Sequence, residues 1–289
     1  MPRPAPQTDR VVAVIELLAE AEEGASMTEI AGALAVNQAT CVHLLAALTT
    51  AGFLVREPSD RRYHLGPALV RPGRRAAERY PALAAARGEM AALSKRFGLP
   101  CFAFAPEGDH GRLVHYTWPP GGAPPEVKLG ERVPLRPPLG MAFAAWGPDD
   151  VFQAWLALEP DLGPEQAARY EQRRTAVRDL GFVAELAPDP ANRGGLVDAL
   201  VDPSSPYRDG QLHRLLSSHD GQDHVLTDLA DAGPRTVIGV SAPAFDGGGG
   251  LVLILDLVTY PEVLDTPAIS EIGAAVRVAA DAVTTVLCR

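Results

Sequence analysis

Lysine is nearly absent from this chain: Lys95 and Lys128 stand alone, so that arginine carries almost the whole basic complement of 26 residues. With abundant alanine, glycine and proline, this bias reflects genome composition more than mechanism, and no function follows from it. Cysteine is scarce too. Cys41, Cys101 and Cys288 lie far apart, with neither metal-ligand spacing nor a paired disulfide framework, and read as reduced thiols. No run of 18 or more apolar residues occurs, and the N-terminal MPRPAPQTDR lacks the apolar core of a signal peptide. A cytoplasmic protein with no membrane partner is expected. The chain also lacks a Gly-x-Ser-x-Gly elbow, a phosphate-binding loop and a dinucleotide fingerprint. No catalytic constellation is visible, so the expectation is no enzyme and no cofactor.

What is present suits two globular domains: 289 residues, 47% of them hydrophobic. The net charge of -10 is unevenly shared. Residues 1 to 80 hold nine arginines and nine acidic residues, leaving 17 basic and 27 acidic residues in the remainder. The acid belongs to the second part, and the first is locally basic where Arg56, Arg61 and Arg62 cluster, followed by Arg71, Arg74, Arg75 and Arg79.

Residues 10 to 65 have the spacing of a winged helix-turn-helix. Val11, Val14, Ile15 and Leu18 form one helical face, with Gly24 as a stop. Ser26 and Glu29 make an S-x-x-E capping box for a second helix with Ile30 and Leu34 inward. After Ala35-Val36, Asn37 caps a third helix with Val42, Leu45 and Leu48 predicted inward, Gly52 as terminator, and Gln38, Ala39, Thr40 and His43 outward. The strands Phe53–Arg56 and Arg62–Leu65, joined by Glu57-Pro58-Ser59-Asp60, form a hairpin, the wing. Such a unit lays its third helix in the major groove while wing arginines meet phosphates. The plain alternative is a packing or dimerisation module; the basic hairpin favours DNA.

Further on, Leu83, Met90, Leu93 and Phe97 mark a helix over 82–97. Strands are predicted at Cys101–Phe104, Leu113–Thr117 and Val127–Leu129. Helices follow at 139–146, 148–158 and 164–180, and a strand at Phe182–Leu186. Two apolar strands, Thr236–Ala242 and Leu251–Thr259, flank the turn 245–250, and a closing helix spans 267–287. This is an α+β arrangement, a sheet with helices on one side. Between them, 186–234 reads as loops with short helices near 194–201 and 209–218. His213, His219 and His224, near Asp220 and Asp223, do not have the spacing of a metal motif, and ordinary loop histidines are the better reading; they are the sole support for an enzyme.

TEIAGALAVNQATCVHLLAALTTAGFLVREPSDRRYHLG, residues 28 to 66, closely resembles the DNA-binding segment of the IclR family of bacterial transcriptional regulators. LGERVPLRPPLGMAFAAWG (129–147), RDLGF (178–182) and VIGVSAPAFDGGGGLVLILDL (237–257) resemble, in order, that family's effector-domain segments. The resemblance implies a winged helix-turn-helix domain at 8–67, a helical linker at 68–81 and a GAF-like effector-binding domain at 82–289. It implies contact with double-stranded DNA through Thr28, Asn37, Gln38, Ala39, Thr40, His43, Arg56, Arg61, Arg62 and His64. It also implies a small-molecule effector held near Gly140, Met141, Gly239, Ser241, Leu257 and Thr259, with Asp228 a weaker candidate. A homodimer or homotetramer reading a pseudo-palindromic operator is expected.

Three departures from the family are specific. Gln38 and His43 stand where the family usually has basic residues on its recognition helix; glutamine can still pair with adenine, and histidine with guanine or phosphate. This also opens a second reading, an interaction or ligand-binding module whose winged helix no longer reads sequence. Arg71-Pro72-Gly73 stands in the linker helix, where a kink or break is expected. Cysteine and serine, common near Gly239 and Leu257 in relatives that sense small carboxylates, are missing, which points to a larger, more apolar ligand. Gly140 and Gly239 equally suit tight backbone, and Ser241 a satisfied backbone group.

Overall fold

A computed structural model describes residues 6–21, 23–78, 80–121, 129–159, 162–186, 224–230 and 233–289. The chain divides into two compact units, Met1–Tyr80 and Pro81–Arg289.

In the first unit α1 (Pro6–Glu20), α2 (Met27–Ala33) and α3 (Gln38–Thr50) close on one core of Val14, Leu18, Ile30, Cys41, Leu45 and Leu48, all buried. α1 stops before the expected Gly24, which instead adopts φ +66° in the turn that follows. The capping box on α2 forms in both directions: the Ser26 N–H donates to Glu29 Oε2 at 2.7 Å, and the Glu29 N–H to Ser26 Oγ at 3.3 Å. Asn37 Oδ1 accepts from the Thr40 N–H at 2.8 Å and starts α3. The inward face of α3 differs from the expected one. Cys41, not Val42, joins Leu45 and Leu48 in the core, while Val42 is 46% exposed. Positions 41, 45 and 48 follow the i, i+4, i+7 stripe, which Val42 would have widened beyond what two neighbouring helices cover.

The wing pairs β1 (Leu54–Arg56) with β2 (Tyr63–Leu65), antiparallel, with Val55 opposite His64. Ala25 adds a short bridge to Tyr63 through two backbone hydrogen bonds of 3.0 and 2.8 Å. Gly66 closes the hairpin base where nothing larger fits, since a Cβ there would lie 2.2 Å from the Gly52 carbonyl oxygen. A 3-10 turn (Pro67–Leu69) then leads into α4 (Val70–Glu78). The helix runs through Arg71-Pro72-Gly73 without the break that was one expectation there. Pro72 lies in the first turn, where the N–H it lacks would have had no α-helical partner. The break comes later, at Tyr80, because Pro81 opens the next helix and disfavours helical backbone in the residue before it.

The second unit is built on a six-stranded antiparallel sheet of order β5-β4-β3-β8-β7-β6. Its strands are β3 (Cys101–Glu107), β4 (His110–Thr117), β5 (Arg132–Pro134), β6 (Val183–Leu186), β7 (Arg235–Phe245) and β8 (Leu251–Leu264). The strand expected to end at Leu129 lies mostly outside the described residues; Leu129 itself is in a turn, and the edge strand is Arg132–Pro134. Between β7 and β8, Asp246 Oδ1 accepts from the Gly248 and Gly250 N–H groups at 2.9 and 2.8 Å and shapes the glycine turn.

Helices flank both faces, where the sequence placed them on one. α5 (Pro81–Phe97) and α9 (Thr266–Leu287) pack on each other and on one face. There Gly273 admits the Phe182 ring, which a Cβ would meet at 2.4 Å. The other face carries α6 (Met141–Trp146), α7 (Asp149–Leu156) and α8 (Pro164–Leu180), with Met141, Phe152, Trp155, Tyr170, Val183 and Ile254 in a single cluster. Trp155 Nε1 donates to the Leu139 carbonyl at 2.9 Å, tying α7 to the loop before α6. Arg174 of α8 donates to the carbonyls of Ala145 (3.3 Å) and Gly147 (2.9 Å), and Arg178 to the same two, so two guanidinium groups satisfy the C-terminal end of α6. The helices expected within 186–234, with His213, His219, Asp220 and Asp223, lie outside the described residues.

Candidate functional site

On the first unit, α3 turns Gln38, Ala39, Val42 and His43 outward, with Asn37 exposed at its cap and Thr40 part-buried; Thr28 is exposed on α2. The exposed side of α3 is thus uncharged apart from what His43 can carry. The wing supplies the cations. Arg61 is exposed at φ +62°, and Arg56 is exposed with its guanidinium 5.3 Å above the Tyr63 ring and its Nε donating to the Arg61 carbonyl at 3.3 Å. Arg62, expected to face DNA with them, is spent within the domain. Its Nη2 donates to the Gly24 carbonyl at 2.9 Å, its Nε to the Glu23 carbonyl at 3.0 Å, and Nη2 lies 3.0 Å from Glu29 Oε2. The Ser26 backbone N–H, with the Ser26 hydroxyl and Arg62, holds the Glu29 carboxyl below the usual range. His64 is half-buried against Gly24, whose missing side chain leaves room for the imidazole.

In the second unit the strand register decides which expected residues share a surface. Glu185 of β6 stands opposite Gly239 of β7, and Gly239 opposite Val258 of β8. In the adjacent row Val183 stands opposite Ser241, Ser241 opposite Asp256, and Asp256 opposite Phe102 of β3. Residues across a pair and two apart along a strand share a face. All these side chains therefore project on the side of Val183 and Ile254, the face that packs against α6 to α8.

Gly239 and Ser241 lie on that surface together. Leu257 does not: as the neighbour of Asp256 it turns to the opposite face, where it is fully buried opposite Cys101 and Val240. Thr259 is also fully buried, its hydroxyl donating to the Val237 carbonyl at 2.6 Å. Gly140 adopts φ +85°, and its side-chain space is taken by Leu135, 2.9 Å from where a Cβ would stand; Met141 is buried beside it. Asp228 is exposed and accepts from the Ala230 N–H at 2.7 Å.

Two residues that sequence reasoning passed over dominate this face. Glu185 and Asp256 are surrounded by protein, and both keep some accessible surface. Neither has a hydrogen-bond partner or counter-ion among the described residues. Burial raises the Glu185 carboxyl to about 7; burial and then the charge of Glu185 raise Asp256 to about 8. The signal was a single acid inside each of two apolar strands, Phe-Val-Ala-Glu-Leu and Leu-Ile-Leu-Asp-Leu-Val. Among the described residues no group of three or more potential metal ligands occurs, and no single helix is long and apolar enough to cross a membrane.

The three-helix winged unit and the six-stranded α+β unit both find counterparts among known proteins. Residues 7–58 match the family model of the IclR helix-turn-helix domain. The fold of nearly the whole chain is that of an IclR transcriptional regulator from Alicyclobacillus acidocaldarius, at TM-score 0.71 and 21% identity over 98% of this chain and 99% of that one. An IclR homologue from Microbacterium hydrocarbonoxydans, solved with 4-hydroxybenzoate, superposes at TM-score 0.66 and 16% identity, covering 97% and 98% of the two chains. The glycerol operon regulatory protein of Streptomyces griseus is 24% identical over 182 residues, 62% of this chain and 72% of that protein. Residues 7–58 thus carry an IclR-type helix-turn-helix domain, and the chain shares the fold of solved IclR-type proteins.

Proposed function

We propose that this regulator reads a two-fold operator as a homodimer or homotetramer and that a small organic effector, bound on the α6 to α8 side of the second domain, changes its affinity for that DNA. The observation that carries the DNA reading is α3: a capped helix presenting Gln38, Ala39, Val42 and His43 beside the exposed wing cations Arg56 and Arg61. In this reading Gln38 pairs with an adenine edge and the Val42 side chain packs on thymine methyl groups, so the half-site is rich in A·T pairs where α3 lies. Thr28, Asn37, Thr40 and His64 contribute backbone contacts, and Arg56 and Arg61 neutralise phosphates. The effector side is supported by the shared fold with a homologue solved with 4-hydroxybenzoate and by the common sheet face on which Gly239 and Ser241 lie, the one turned toward α6 to α8.

The test is binding to duplex DNA from the protein's own promoter against scrambled duplex, across a range of salt. The expected result is sequence-selective binding, on the order of a thousandfold tighter than to the scrambled duplex. The second reading, a winged helix that no longer reads sequence, is favoured by the absence of any arginine or lysine on α3. It predicts weak binding that ignores sequence and vanishes with salt, with or without effector.

A further inference from the structure

The tip of the wing carries a hydroxyl that the fold does not use. Among the described residues Ser59 is the one serine or threonine both exposed and outside a helix. Thr8, Thr28, Thr50, Thr175 and Thr285 are exposed within helices, and the remaining hydroxyl residues described are partly or fully buried. Other groups close the turn around Ser59. The Glu57 N–H donates to the Arg62 carbonyl at 2.8 Å, the Arg61 N–H to the Glu57 carbonyl at 2.9 Å, and the Arg62 N–H to Asp60 Oδ1 at 2.9 Å. The Ser59 hydroxyl has one partner among the described residues, Glu57 Oε1 at 3.4 Å, which is long for a hydrogen bond between oxygens and joins two exposed side chains. Arg56 stands three positions before it, in Arg56-Glu57-Pro58-Ser59, and Arg61 two positions after. The same Arg-x-x-Ser spacing recurs at Arg214-Leu215-Leu216-Ser217, outside the described residues.

We infer that Ser59 is a phosphorylation site for an ATP-dependent serine/threonine kinase that reads arginine three positions before its acceptor, and that the phosphoryl group releases the wing from DNA. This rests on the proposal that Arg56 and Arg61 meet the DNA backbone. In the transfer Ser59 Oγ attacks the γ-phosphorus of ATP. The new O–P bond forms as the bond from that phosphorus to the β,γ-bridging oxygen breaks; ADP leaves with the electron pair, and the hydroxyl proton passes to the kinase's catalytic base. The turn sets Arg56 and Arg61 against Glu57 and Asp60, while Arg62 is held by Glu29, so the tip stands near zero charge. Phosphoserine adds a charge of about -1.5 to -2 and three acceptor oxygens. It competes with DNA for the neighbouring guanidinium groups and repels the backbone phosphates. Loss of two phosphate contacts lowers the salt slope of binding by about 1.8 per protomer.

The experiment phosphorylates the full chain with ATP and the catalytic subunit of cyclic-AMP-dependent protein kinase, a basophilic enzyme, and maps the product by tandem mass spectrometry beside protein isolated from its own cells. Promoter binding is then titrated with salt for the wild type and Ser59→Ala, each before and after kinase treatment. A phosphoryl group at Ser59 is expected, with affinity about tenfold or more weaker and the slope reduced as above. Ser59→Ala should bind DNA as the unmodified wild type does, ignore kinase treatment even where Ser217 is modified, and unfold in urea at the same midpoint. Ser59 unmodified in both preparations, or modified with affinity and slope unchanged, overturns the inference. So does a loss in untreated Ser59→Ala as large as that caused by phosphorylation, since the hydroxyl is then a DNA contact. The unmodified wild type on promoter against scrambled duplex tests the regulator reading separately. No selective binding there sinks that reading and the release with it; selective binding untouched by phosphorylation sinks the release alone.

Discussion

Two adjacent arginines of the wing, Arg61 and Arg62, look interchangeable in sequence and are not. Arg62 stitches the corner between α1 and α2 to the hairpin, through carbonyls of Glu23 and Gly24 and the Glu29 carboxylate. Arg61 is exposed at the hairpin turn. Arg62→Ala is expected to cost the first domain about 1–3 kcal/mol, because it leaves part-buried carbonyls without a donor. Arg61→Asn, in which asparagine tolerates positive φ, should leave urea unfolding unchanged and lower the salt slope of DNA binding by about 1. Urea denaturation and salt titration of both variants separate the roles. The same scale shows what sequence cannot reveal. The Arg62 contacts span nearly forty residues, and the facing of Cys41 rather than Val42 depends on how two other helices cover α3.

At the scale of elements the sequence was most legible where local chemistry decides. The Ser26–Glu29 box, the Asn37 cap and the Asp246 glycine turn all form as their residues prescribe. It was least legible where register or a distant partner decides. One residue of alternation puts Leu257 on one face of β8 and Asp256 on the other, and nothing local distinguishes the edge strand Arg132–Pro134 from a loop. The clamp on α6 is of the same kind. Arg174 is almost fully buried over the Phe152 ring, 4.5 Å from its centroid, and satisfies carbonyls some thirty positions earlier. Arg174→Met should fill the space without the donors and cost about 2–4 kcal/mol. Loosening should be strongest at α6, which hydrogen exchange of residues 141–147 would register; protection unchanged there would refute the clamp.

For the whole molecule the two buried acids set a direction with pH. Glu185 and Asp256 have folded pKa values raised above those of exposed carboxyls, so the folded state binds more protons than the unfolded chain between about pH 4 and 8. Their protonation favours folding at the acidic side of that window, and the benefit is lost as pH rises through 7 and 8. Stability of the unliganded protein should therefore fall from pH 5.5 to 8.5 by an amount on the order of a few kcal/mol. The double variant Glu185→Gln, Asp256→Asn should flatten that slope. Melting temperature against pH for both proteins checks the sign; a wild-type curve rising over this interval contradicts it. The three thiols give the molecule a further property. Cys41 is sealed beneath α3, Cys101 is sealed in the sheet of the second unit, and Cys288 is exposed. A thiol-reactive reagent thus labels one cysteine at once and each of the others only when its own domain opens. The native chain in this way keeps two separate clocks, one for the breathing of the first unit and one for that of the second.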